Sequence, residues 1–487
     1  MSISRRQFLG VSGVGFGALA AHIYVPKRVF ADVPQSGRVK RVLILHAGGG
    51  MRSSCLFNAH VAPQWNPYGA VSSSDLDADG APLLAAAEWG VGGVLVGDKK
   101  PIALAQWGGA KLPLVSQIAD KISVVGAVDH DPTASQGDGN HYSATVRMCG
   151  GAPDAPAGLL TMISRQLDGQ SPLPPTIVGG SGPLGASVYG IGSGDFSQYR
   201  ALFLNGPSDF RYPRDGSAGG DPDWVKGLES RLDDGIVRAR PNALLGRIQS
   251  FLGIKQAGLS YGAVLAHPAL RLAYAPAEAL GVTTDGKPLT SQMLMEPFGV
   301  APAMGAPPAG YVVDTMWGGP TALGVRLLQL GAPVVAVGVG GWDFHSDEDK
   351  GLPPLAASLG RALSALYFTL SRIADADGKS YWDTTLIAVT SEFGRDNTSA
   401  TADDGLSIGY NRGNGSDHHG TSPSRYQALP FTGGAIVGGR LFAPTDEACN
   451  PQDHAVASPS LLATMMGSIG VDPSTYLQAP MMMELFK

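Results

Sequence analysis

Two short apolar runs on either side of one amphipathic stretch constrain this chain more than any other feature. Pro333-Val334-Val335-Ala336-Val337-Gly338-Val339 and Thr384-Thr385-Leu386-Ile387-Ala388-Val389-Thr390 are rich in β-branched residues and free of charge. Runs of this length suit strands buried on both faces of a parallel sheet. Between them, Leu355, Leu359, Leu363, Leu366, Leu370 and Ile373 recur at helical spacing within 354–376. Strand, helix and strand in this order predict a right-handed βαβ unit. Ligands of such sheets bind just past the carboxyl ends of the strands. The residues after the two runs are therefore where chemistry is expected.

The rest of the chain extends the same α/β reading. Val42-Leu43-Ile44-Leu45 reads as a first strand and Ile122 to Val128 as another. His46-Ala47-Gly48-Gly49-Gly50 follows the first. It has no G-x-G-x-x-G and no Gly-Lys-Ser/Thr ending, so it reads as a tight turn and not a nucleotide loop. Helices are predicted over 157–167, over 321–330 despite Gly324, and from Ser458 to about Ile469. Ser458 is expected to cap the last of these, with Pro459 in its first turn and Gly470 after its end. Apolar residues recur at helical spacing from Trp224 to Leu252, broken by Pro241. Residues 224–300 are expected to form a helical insertion beside the sheet. Glycine, 67 of 487 residues, is about twice its usual share, which implies many turns and long ordered loops. A net charge of −6 argues against nucleic acid as a partner.

The first 31 residues read as an address. Ser4-Arg5-Arg6-Gln7-Phe8-Leu9-Gly10 resembles the twin-arginine export signal, a weakly apolar run from Val11 to Tyr24 follows, and Val29-Phe30-Ala31 suits cleavage. The expected organisation is a signal peptide over 1–31 and one domain over 32–487. The expected partner is the twin-arginine export machinery, and the expected location is the periplasm or the cell surface. No other run is long enough for a membrane-spanning helix. The three cysteines, Cys55, Cys149 and Cys449, allow at most one internal disulfide.

Three polar clusters carry the chemistry: Gly341-Trp342-Asp343-Phe344-His345, Ser391-Glu392-Phe393-Gly394-Arg395, and Gly415-Ser416-Asp417-His418-His419-Gly420. Asp343 and His345 are two apart, so in an extended segment both side chains point the same way and can meet one ion. Glu392 offers a second carboxylate. Asp417 and His418 can converge if their glycine-flanked loop bends. A mixed oxygen and nitrogen donor set suits Zn, Mn or Fe better than Mg or Ca, with room for one or two ions. Arg395 can grip a tetrahedral anion or pair with a carboxylate. His141, a single histidine opening a helix or turn, reads as structural.

These clusters in this order, followed by Gly433-Gly434-Ala435-Ile436-Val437-Gly438-Gly439 and by the stretch from Leu461 to Pro473, resemble the twin-arginine-exported family labelled domain of unknown function 1501. Asn140-His141 before a short helix fits the same resemblance. The resemblance implies an alkaline-phosphatase-like three-layer sandwich with a mostly parallel central sheet, within the alkaline phosphatase and sulfatase superfamily. It implies metal ligation by Asp343, His345, Glu392, Asp417 and His418. The family's own substrate does not carry over; a small anionic ester of phosphate or sulfate type is the substrate expected of a hydrolase with the superfamily's chemistry. The chain departs from the superfamily after its first strand, where an acidic ligand and a nucleophile are expected and no Asp or Glu stands. His46 is then the substitute ligand, and Ser53 or Ser54 the nucleophile. Cys55 lacks the sequence context for sulfatase maturation. An exported metal-dependent hydrolase or transferase is the first expectation; a non-catalytic envelope protein that retains the fold is the second.

Overall fold

The structure, a computed structural model, describes residues 39–204 (except 64, 77–81, 136, 168–170, 172 and 180–184), 279–300, 311–395 (except 312), 418 and 425–487. Nine strands form the central sheet: β1 (Arg41–Ala47), β2 (Ile122–Asp129), β3 (Thr176–Gly179), β4 (Leu202–Leu204), β5 (Val334–Val339), β6 (Thr385–Thr390), β7 (Tyr426–Thr432), β8 (Leu441–Phe442) and β9 (Val456–Ala457). Their order is β8-β2-β7-β6-β1-β5-β3-β4, with β9 also paired to β2. All the pairings are parallel except those of β7 with β6 and β2, so β7 alone runs against the rest. The chain is thus a mixed α/β fold on a mostly parallel sheet.

The apolar runs are strands because their side chains find cover on both faces. Val42, Leu43, Ile44 and Leu45 of β1 have no exposed surface, and neither do Val334 to Val337 of β5. Register pairs Leu43 with Val335 and with Ile387, stacking β-branched and aliphatic rows across the three inner strands. The cover comes from α1 (His141–Gly150), α2 (Leu159–Gln166), α3 (Gly318–Gln329), α4 (Glu348–Leu370) and α5 (Ser458–Ser468). Gly324 in α3 explains itself here. A Cβ at that position would lie 3.0 Å from Val337 and 3.2 Å from Leu43, so the glycine lets the helix backbone settle onto β1 and β5. Among the described residues no helix is long and apolar enough to cross a membrane.

Three boundaries differ from expectation. The helix expected over 354–376 runs from Glu348 to Leu370, with Pro353 and Pro354 inside it. Those prolines lack only the bonds to the carbonyls of residues 349 and 350, in the opening turn, where Asp349 is half-buried and Lys350 exposed. Ser458 is not a cap: Ala457 holds the N-cap position without a side-chain bond, and the Ser458 hydroxyl lies 3.5 Å from the Arg147 carbonyl at the end of α1. Of the stretch expected as a helical insertion, residues 224–278 lie outside the described residues. Its described end is a hairpin, Ala279–Val282 with Pro288–Thr290, leading into a short helix, Ser291–Met295. The signal segment 1–31 also lies outside the described residues.

Candidate metal centre

The loops after β1, β5 and β6 leave the sheet side by side at its carboxyl edge. Gly48 N–H donates to the Val339 carbonyl at 3.0 Å, and Trp342 N–H returns a bond to Gly48 at 3.3 Å. Gly49 and Gly50 have φ of +121° and +89°, a region that side chains rarely adopt. Space requires glycine as well, since a Cβ on Gly49 would stand 2.4 Å from the Asp343 nitrogen. The glycine loop is therefore the wedge that allows Asp343 and Glu392 to come together. Its Gly49 N–H donates to Glu392 Oε1 at 2.7 Å, and Met51 N–H to the Ser391 hydroxyl at 2.9 Å. Its amides are used within the protein, as a structural turn requires.

Four side chains converge in front of this wedge. One ligand atom each from His141, Asp343, His345 and His418 lies within 4.8 Å of all the others. His345 Nε2 is 3.0 Å from Asp343 Oδ1, and His141 Nε2 is 3.3 Å from Asp343 Oδ2. Donors around a tetrahedral ion with bonds of about 2.0–2.1 Å stand roughly 3.3 Å apart, so these separations suit a shared cation. The His141 and His418 ring centroids are 4.4 Å apart, and those of His345 and His418 are 5.1 Å apart. Phe393 stacks on His418 at 4.6 Å with 23° between the planes, which fixes that ring.

The groups behind the four donors select the nitrogens that face inward. His141 Nδ1 lies 2.9 Å from Glu392 Oε1, and a carboxylate can only accept, so Nδ1 carries the proton and Nε2 faces the cluster. His418 Nδ1 lies 2.7 Å from the Gly139 carbonyl, which imposes the same tautomer. Carboxylate and carbonyl partners of this kind orient metal-ligating histidines. His141 Nε2 is buried and faces Asp343 Oδ2 at 3.3 Å without well-formed hydrogen-bond geometry, as suits two donors that share an ion. Three imidazoles and one carboxylate fit Zn, Mn or Fe and not the oxygen-only preference of Mg or Ca.

The charges reinforce one another. Burial works against a charged His141, but bonds to Asp343 and Glu392 outweigh it and hold the ring at about 9. Asp343 is likewise opposed by burial, and His141 and Arg395 together keep it well below the usual carboxylate range. Helix α1 delivers His141 as its first residue, started by Asn140, whose side chain accepts from Tyr142 N–H at 3.0 Å and Ser143 N–H at 3.2 Å.

Several expected site residues are placed differently. Glu392 is not a member of the cluster: it lies wholly buried behind His141, drawn inward by Gly49 N–H and His141 Nδ1–H. Arg395 does not face a substrate anion. It is 1% exposed, donates to the Gly49 carbonyl at 2.7 Å and the Gly50 carbonyl at 3.1 Å, and pairs with Asp343, so it clamps the wedge to its ligand. Ser53 and Ser54 sit on the short turn Ser53–Cys55. Ser53 Oγ accepts from Ala428 N–H at 2.9 Å, and Ser54 donates to the Trp65 carbonyl at 3.0 Å. Those bonds engage both hydroxyls with the main chain. Asp417 lies outside the described residues. His46 is buried behind Glu392 at 4.0 Å and is not in the cluster. All three cysteines are buried and free, and burial pushes the Cys55 thiol up to about 12, which makes it a poor nucleophile. His141 is the residue that sequence reasoning set aside. The helix-capping Asn140 immediately before it, placing an imidazole at a helix start, was the available signal.

No curated protein matches the chain. Among solved structures it is similar to the phosphonate monoester hydrolase of Agrobacterium radiobacter, at 12% identity over 92% of this chain and 77% of that chain, with a TM-score of 0.31. Residues 291–482, which carry Asp343, His345, Glu392, Arg395 and His418 but not His46 or His141, match the family model described as a protein of unknown function (DUF1501).

Proposed function

We propose that this chain is an exported metal-dependent hydrolase or transferase acting on a phosphate- or sulfate-type ester, with one divalent Zn, Mn or Fe ion held by His141, Asp343, His345 and His418. The observation that carries this reading is the convergence of three imidazoles and one carboxylate, two of the imidazoles with their tautomers set from behind. The ion, when bound, supplies Lewis acidity to an ester oxygen and lowers the pKa of a water. The chain's residues do the rest. Arg395 and the glycine wedge hold Asp343 in place, Glu392 keeps the His141 proton on Nδ1, and Phe393 braces His418. With Ser53 and Ser54 tied to the main chain, water is the nucleophile this reading requires. The same observation favours a second reading, a non-catalytic envelope protein that binds metal and retains the fold. Arg5 and Arg6 and the apolar run after them support the export part of the reading, by the twin-arginine route to the periplasm or cell surface.

Elemental analysis of the folded protein beside His141→Ala and Asp343→Ala variants tests the site. Stoichiometric metal in the parent and none in either variant is the expected result. Phosphate and sulfate esters are then screened for metal-dependent turnover, and its absence would leave the second reading. Folded parent protein without metal after supply of Zn, Mn and Fe would sink the metal reading.

A further inference from the structure

Glu392 has no exposed surface, yet its two oxygens are served unequally. Oε1 accepts from Gly49 N–H and His141 Nδ1–H. Oε2 has the Ser391 hydroxyl at 3.2 Å, but that hydroxyl has one proton and a closer acceptor, the Ala47 carbonyl at 2.6 Å. A buried carboxylate oxygen needs a facing donor. Among the described residues His46 is the side chain that faces it, wholly buried with Nε2 4.0 Å from Oε2, an electrostatic contact longer than a hydrogen bond.

His46 is itself held from behind. Its Nδ1 is 3.1 Å from the Thr390 hydroxyl, which is 2.8 Å from the Tyr189 hydroxyl, and the Tyr189 ring stands edge-on to His46 at 5.5 Å. The direction of these bonds follows from the carboxylate. A proton on Nδ1 of a neutral His46 would turn the Nε2 lone pair toward Glu392, like charge to like. The proton therefore sits on Nε2, Nδ1 accepts from Thr390, and Thr390 accepts from Tyr189. The fold explains the assembly: His46 and Thr390 are register partners on β1 and β6, and the short turn Ala186–Gly190 carries Tyr189 over them.

We propose, resting on the metal-binding reading above, that Tyr189, Thr390 and His46 form a buried one-way relay that holds Glu392 in place and thereby aims His141 Nε2 at the metal. They are positioning residues, stacked in the third, fourth and fifth layers behind the ion (His46, Thr390 and Tyr189), and none touches it.

The test uses the folded full chain and its Thr390→Val and Thr390→Ser variants. Affinity for Zn is read by competition with a chromophoric chelator, and ligand geometry by the visible absorption of the Co-substituted protein. Thr390→Val removes both relay bonds with little change of shape. It is expected to weaken Zn binding about tenfold, the lower end of the effect of outer-shell partners, and to shift the Co bands. Thr390→Ser keeps the hydroxyl and is expected to restore both. Should Thr390→Val not fold, the double variant Tyr189→Phe/Thr390→Val leaves no hydroxyl stranded and takes its place. Unchanged affinity and spectrum in the valine variant would overturn the relay while leaving the metal site standing. Equal weakening in the valine and serine variants would assign Thr390 to packing and overturn it too. A parent protein that binds no Zn, Mn or Fe would refute the metal reading, and the relay with it.

Discussion

Replacing Gly49 by alanine asks whether the glycine wedge builds the metal centre. The new Cβ would stand 2.4 Å from the Asp343 nitrogen, where ordinary contact begins at 3.4 Å, so the Asp343 backbone must retreat by about 1 Å. Holding a side chain at a φ of +121° adds about 1–3 kcal/mol of strain. Metal bonds tolerate only about 0.2 Å of error, so a ligand displaced by about 1 Å is effectively lost from its ideal position. The expected result is a Zn affinity lowered about 100-fold or more, together with a lower thermal unfolding temperature. Gly340→Ala is the control: it lies in the same loop region, three residues before Asp343, and its Cβ would meet nothing within 4 Å. That variant should keep parental affinity and melting temperature. Chelator competition and thermal unfolding on the three proteins decide the matter. Parental metal affinity in Gly49→Ala would show that the wedge does not position Asp343, and the reasoning from close approach would fail.

Four further outcomes are expected. Metal binding should strengthen with pH, because the ion-free ring of His141 keeps its proton up to about 9 and must lose it to bind; affinity should rise about tenfold per pH unit from 7 to 9 and level off above, and a flat profile by chelator competition would contradict this. By the same raised pKa, His141 stabilises the ion-free fold fully below about 6.5 and loses that contribution as pH climbs through 9, so the melting temperature of metal-free protein should fall across that window unless His141 is replaced. Asn140→Ala removes the cap that starts α1 and should cost about 1 kcal/mol in denaturant unfolding while weakening metal binding through His141; unaltered stability would deny the cap its role. Asp375, resisted by burial but held well below its usual range by Arg41 and Thr384, supplies stability that is present above about pH 4 and lost as pH falls through its folded value, so Asp375→Asn should flatten the acid limb of the unfolding curve.

Much of the scaffold was legible because its signals are local. Val42 to Leu45, Val334 to Val339 and Thr385 to Thr390 are short charge-free runs rich in β-branched residues, which suit strands covered on both faces. The i, i+2 spacing of Asp343 and His345 was equally local, and the structure holds their side chains 3.0 Å apart. Helix ends were less legible, since Pro353 and Pro354 look like a start when read alone and lie inside α4 when the chain beyond them is placed.

The residues at the carboxyl ends of the strands, and the kinds of chemistry they carry, were determined by the sequence itself. Which of them face outward was decided only by the tertiary structure. Glu392 and His141 are far apart in the chain, so no spacing could reveal that one would stand behind the other; their roles depend on Gly49 N–H drawing the carboxylate inward and on α1 bringing the imidazole over it. Arg395 has the chemistry of an anion grip, but the carbonyls of Gly49 and Gly50 arrive first, from a loop that precedes it by more than three hundred residues. The reason is physical. Strand formation follows from short-range periodicity, whereas a ligand set is a meeting of loops whose relative positions exist only after the sheet has paired.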